Sequence, residues 1–161
     1  MPFSIDIFDD EPYEIRIHKN SLEILATVPI GHNPVNGNLY SAHVALIRLE
    51  PYEGTNKAEL LFEIVETSGD NKNFFDNGLE TQRFLSGADR TTVLEVICAV
   101  ITSIVAERRP DVIVMTTSQP NLPAKALTKY RKVSQAIRLA GYDGGKGNSF
   151  DGQSIWMFVK T

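Results

Sequence analysis

The apolar residues of this chain change their period once, and that change fixes the class of fold open to it. Over residues 1–66 apolar and polar residues alternate in short stretches, the period-two pattern of strands with one buried face. Stretches 3–8, 13–18, 22–28, 42–50 and 58–66 are the predicted strands. Turn-forming residues separate them: Asp9-Asp10-Glu11-Pro12, Lys19-Asn20, the run 31–38 with Gly31, Asn33, Pro34 and Gly37, and Pro51 to Gly54. Pro29 suits the end of the third strand, because it has no N–H to give to a ladder. Connections this short predict antiparallel neighbours.

From Thr91 the spacing becomes helical. Val93, Val96, Ile97, Val100, Ile101, Ile104 and Val105 recur three and four residues apart, and Arg108, Arg109 and Pro110 follow as end signals. The arginines oppose the negative end of the helix dipole, and the proline stops the helix. Asp89 is the predicted N-cap. Residues 112–115 then read as a buried strand. A second helix carries Ala126, Tyr130, Val133, Ile137 and Ala140 on one face and ends at Gly141. A last strand, 155–159, is reached through a glycine-rich loop, 141–152. The order predicts an α+β fold: a mixed, mostly antiparallel sheet with two main helices in the C-terminal half, in a single domain spanning 1–161.

A chain of 161 residues buries a core without help from metal or disulfide, since a domain of about 150 residues hides roughly 70% of its unfolded surface. With one cysteine, Cys98, it has neither an internal disulfide nor a thiolate zinc cluster, which fits a reducing, cytoplasmic setting. The longest apolar run, 91–106, is too short to span a membrane and contains Glu95, and the N-terminus is acidic where a secretory signal is basic and then apolar. The net charge of −4 is unevenly spread: residues 1–80 hold 14 acids and 5 bases, residues 120–161 hold 2 acids and 7 bases. The acidic total argues against nucleic acid as a partner, and the basic third offers lysines and arginines to a phosphorylated ligand.

Few residues are arranged for chemistry. His18, His32 and His43 lack metal-ligand spacing, so no metal site is predicted. Cys98 sits among Val96, Ile97, Ala99 and Val100, the surroundings of a packing residue. The 24-residue connection from Thr67 to Arg90 is long for a compact domain, and such loops are functional or hide an element. It ends in Ser86-Gly87-Ala88 just before the strong helix, where free N–H groups and the dipole suit a phosphate.

Strands, a loop closing on a small-residue turn, then helix, strand, helix and strand resemble the fold of the GCN5-related N-acetyltransferases (GNAT). In that family an Arg/Gln-x-x-Gly-x-Gly/Ala loop holds the pyrophosphate of acetyl-CoA. The resemblance assigns that role to Arg83, Gly87, Ala88 and Arg90, with Gln82 beside them, although Asp89 stands at the second glycine position, where a carboxylate repels an anion. The family's Asn-x-x-Ala-x-x-x-Tyr pattern has its counterparts in Asn121, Ala124 and Tyr130, or in Pro123, Ala126 and Tyr130. Tyr130 is then the general acid for the departing thiolate, or else a core residue of its helix. Glu63 or Glu66 would be the general base, and their odd spacing puts them on opposite faces of a strand. Gly87-Ala88-Asp89, Arg109 to Ile113, Lys129-Tyr130-Arg131 and Gly141-Tyr142 also resemble small GNAT-like phage and prophage proteins.

Two functions follow from the resemblance. One is a non-catalytic GNAT-like protein that binds a protein partner and has a degenerate acetyl-CoA loop. The other is an acyl-CoA-dependent N-acetyltransferase acting on an amine. The second requires a V-shaped gap between strands 58–66 and 112–115, open to the first helix, and filling by Phe74, Phe75 or Phe84 would exclude it. A binding surface is expected around residues 67–86 or 141–152.

Overall fold

Alternation along the strands produces a sheet with one buried face. The computed structural model describes residues 2–49, 54–75, 78–81, 83–117, 127–148 and 151–161. In chain order its elements are β1 (Ser4–Ile5), β2 (Arg16–Lys19), β3 (Glu23–His32), β4 (Leu39–Arg48), β5 (Lys57–Ser68), β6 (Asn71–Phe75), α1 (Gly78–Thr81), α2 (Gly87–Arg108), β7 (Val112–Thr116), α3 (Lys129–Leu139), β8 (Tyr142–Lys146) and β9 (Ile155–Lys160). The strands form one sheet in the order β1-β3-β4-β5-β7-β9-β8, with β2 also on β3 and β6 also on β5. Pairing is antiparallel except for β5 with β7, which α2 connects. The α+β, mostly antiparallel architecture is therefore as expected.

Ile24, Ala26 and Val28 on β3, Ala42, Val44 and Leu46 on β4, and Ala58, Leu60 and Ile64 on β5 are buried on the same face. Both longer helices cover it. All seven apolar residues expected on the first helix are buried in α2, and Tyr130, Val133 and Ile137 are buried in α3. Across the other face no described helix lies, and Leu61, Met157 and Val159 stay exposed there. No described helix is long and apolar enough to cross a membrane.

Several boundaries differ from expectation for local reasons. Pro29 lies inside β3, at a register shift between Pro29 and Gly31 that accommodates its missing N–H. The first predicted strand, reduced to β1, pairs with β3 and not with its neighbour β2. Gly31 makes this possible, since a Cβ there would come within 2.5 Å of the Phe3 ring and the Ser4 carbonyl. The long connection 67–90 contains β6, α1 and the first turn of α2. Ser86, not Asp89, caps α2: its hydroxyl accepts from the Asp89 N–H at 3.1 Å. The glycine-rich loop holds β8, whose Gly144 has φ 143° and where a Cβ would fall 2.1 Å from the Met157 carbonyl oxygen. No other residue fits that approach.

Candidate functional site

The predicted gap lies where the parallel pair parts. β5 and β7 are joined only over Lys57–Glu59 and Val112–Val114. Beyond it β6 takes the same edge of β5, from Ile64 to Ser68, because β4 holds the opposite edge. Residues 60–63 of β5 thus border a wedge between two pairings. Phe62 points to the helix-covered face there. Tyr130 of α3 reaches it with ring centroids 5.6 Å apart, and Tyr130 itself stacks on Trp156 of β9 at 4.4 Å, with the planes 18° apart. Lys129 Nζ stands 5.4 Å from the centroids of both the Phe62 and the Tyr130 rings. Tyr130 therefore packs across the wedge, between Phe62 on β5 and Trp156 on β9 beyond β7, with the Lys129 ammonium beside it, and Tyr130 and Trp156 are 6% and 5% exposed. Of the phenylalanines whose filling of the gap would exclude the enzyme, Phe74 is exposed, while Phe75, paired with Ile64, and Phe84 pack against each other farther along β5 than Phe62.

Glu66 lies in that farther region. It faces the same side as Phe62, four residues on, which is roughly 13 Å along a strand. Its carboxylate accepts from Asn38 Nδ2 at 3.1 Å, from the Tyr40 hydroxyl at 2.8 Å and from Asn73 Nδ2 at 3.1 Å. Burial raises its carboxyl, but the three hydrogen bonds together outweigh burial and hold it below the usual glutamate value. The Tyr40 hydroxyl is pushed far up, first by burial and then by its bond to Glu66, so it stays a donor. A carboxylate held this firmly in its ionised form is a poor proton acceptor. Glu63 sits opposite His43 on the other face, so the two glutamates are divided as expected.

The expected phosphate loop is anchored from within. Phe84, between Arg83 and α2, is buried against Tyr40, Phe75 and Phe3, with centroids 4.9, 5.1 and 5.8 Å away. Arg83, Gly87, Ala88 and Arg90 are exposed around the start of α2, and a Cβ at Gly87 would meet nothing within 4 Å. Gln82, Asn121, Pro123, Ala124 and Ala126 fall outside the described residues. The fold brings the α2 start near Glu66 through Phe84 and Tyr40, and it sets Tyr130 apart from both.

The other candidates have structural surroundings. His32 Nδ1 is 2.9 Å from Asp6 Oδ2, and His18 and His43 belong to the uncovered face. Burial pushes the Cys98 thiol up, away from a reactive thiolate. Among the described residues no three His, Cys, Asp or Glu side chains are grouped to hold a metal.

Sequence reasoning did not identify Tyr40, Asn38, Asn73, Phe62 or Trp156. Parity alone would have placed Phe62 beside Glu66 on one face, and extending the fourth strand by two residues would have added Tyr40. Trp156 has no such signal, since its contact with Tyr130 depends on β9 lying next to β7. No family model matches the chain, and no curated protein or solved structure matches it either.

Proposed function

We propose that this chain is a GNAT-like domain that has given up acyl transfer and acts by binding a protein partner. The observation that carries this reading is the aromatic row in which Tyr130, stacked on Trp156 of β9, packs against Phe62 of β5 across the wedge between β5 and β7. A parallel pair that parts beside a helix is the place where the resemblance puts the acyl-CoA arm, and here side chains fill it. Tyr130 is spent on packing, Glu66 is locked by three donors, and Tyr130 meets β5 at Phe62, four residues from Glu66. Asp89, in the first turn of α2, adds a negative charge beside the place for a pyrophosphate. The binding half of the reading is supported by the uncovered sheet face, where Leu61, Met157 and Val159 remain exposed to meet the apolar surface of a partner.

Calorimetric titration with acetyl-CoA and with CoA tests it. The expected result is no saturable heat at millimolar ligand. Saturable binding that is abolished by Gly87→Trp or Arg90→Glu would return the chain to the acyltransferases, with Arg83, Gly87, Ala88 and Arg90 as its cofactor residues.

A further inference from the structure

At the C-terminal end of α2, the helix and the sheet leave a cavity of about 140 Å³. Leu46, Ala58 and Pro110 lie buried along it among polar neighbours, and Arg48 of β4 and Arg108 of α2 line it from different elements. We propose that this cavity binds a small organic anion, with its carboxylate between the two arginines and its apolar body against Leu46, Ala58 and Pro110.

Arg108 is fixed in advance. One of its terminal nitrogens donates to the carbonyls of Asn20 and Glu23, at 2.5 and 2.9 Å, which orients the planar group and leaves further N–H donors for a ligand. Arg48 ends β4 directly opposite the buried Ala58, so its side chain belongs to the helix-covered face. Its guanidinium has no acceptor among the described residues. Glu23 also borders the cavity, but it pairs with Ile47 and its carboxylate belongs to the opposite face of the sheet. The negative end of α2 offsets about half a charge, and the Asp111 carboxylate beside the cavity, which accepts from the Asn56 N–H, is paired with Lys160, so the two arginines leave the balance positive. A cavity of about 150 Å³ takes one benzene ring, so the fitting ligand is a single ring or a short chain bearing one carboxylate.

The test is a titration of the whole chain with sodium benzoate, followed by the backbone amide signals of Leu46, Arg48 and Ala58, with benzamide as the uncharged isostere. Benzoate is expected to shift these signals saturably at millimolar concentration. Benzamide, and benzoate on Arg48→Ala, are each expected to bind about tenfold more weakly, the loss of one charge-assisted contact. Arg131→Ala, which changes an exposed arginine of α3, should leave the binding unchanged. The amide spectrum of Arg48→Ala outside the cavity shows whether that variant is folded, and Arg48→Lys, which keeps the charge, should restore part of the affinity. Absence of saturable shifts, equal binding of benzamide, or full binding by a folded Arg48→Ala would each overturn the proposal.

Discussion

The Tyr130 ring lies nearly flat on the Trp156 indole, 4.4 Å away, and this contact ties α3 to β9 across the end of β7. It joins an element on the helix layer to a strand more than twenty residues later, and it closes the wedge in the sheet.

Removing the ring should therefore cost as much as a core aromatic. Tyr130→Ala is expected to lower stability by about 3–5 kcal/mol, and Tyr130→Phe, which keeps the stack, by much less. Urea unfolding of the two variants measures the difference. Equal, small losses would mean that the stack does not hold the layer together.

Glu66 makes stability depend on acid. Its folded pKa lies below the unfolded one, so its contribution is complete above the ordinary glutamate value of about 4.3 and is lost as pH falls through the lower folded value. Glu66→Gln turns an acceptor that takes three bonds into a group with donors of its own, and should cost about 1–3 kcal/mol at neutral pH. Between pH 5 and pH 3, unfolding curves should fall less steeply for Glu66→Gln than for the native chain. A parallel decline of both would remove Glu66 from the acid response.

The cap of α2 separates two neighbours. Ser86→Ala should cost about 1 kcal/mol through the lost bond to the Asp89 N–H. Asp89→Asn keeps that backbone bond and removes a partly exposed charge near the dipole, so it should cost less, about 0.3 kcal/mol at the low end of such charge effects. Thermal unfolding ranks the two variants.

Gly144→Ala tests the edge of the sheet. A methyl group 2.1 Å from the Met157 carbonyl oxygen forces β8 away from β9, so amide exchange should accelerate across Tyr142–Lys146. Gly87→Ala, with open space around it at the start of α2, is expected to be neutral or stabilising.

Much of this architecture is legible along the chain because it depends on local period. The stripe from Val93 to Val105 identifies α2, and alternation identifies the buried faces of β3, β4 and β5. What escapes is set by contacts between distant segments. β6 and β8 are short and mostly exposed, with Asn71 to Asn73 on one and Gly144-Gly145 on the other, so neither has an apolar alternation to read. The candidate site divides in the same way. The opposite facing of Glu63 and Glu66 and the burial of Tyr130 follow from spacing, whereas the three donors around Glu66 come from β4, β6 and the turn before β4, which only the folded sheet brings together.

Trp156 is the only tryptophan in the chain, so its emission reports directly on the wedge. An acyl-CoA arm entering between β5 and β7 has to separate the indole from Tyr130. A fluorescence titration with acetyl-CoA is expected to leave the Trp156 emission maximum and intensity unchanged up to millimolar ligand, after correction for absorption. A saturable shift, absent with adenosine alone and lost in Arg90→Glu, would show that the wedge opens to the cofactor and would contradict the account.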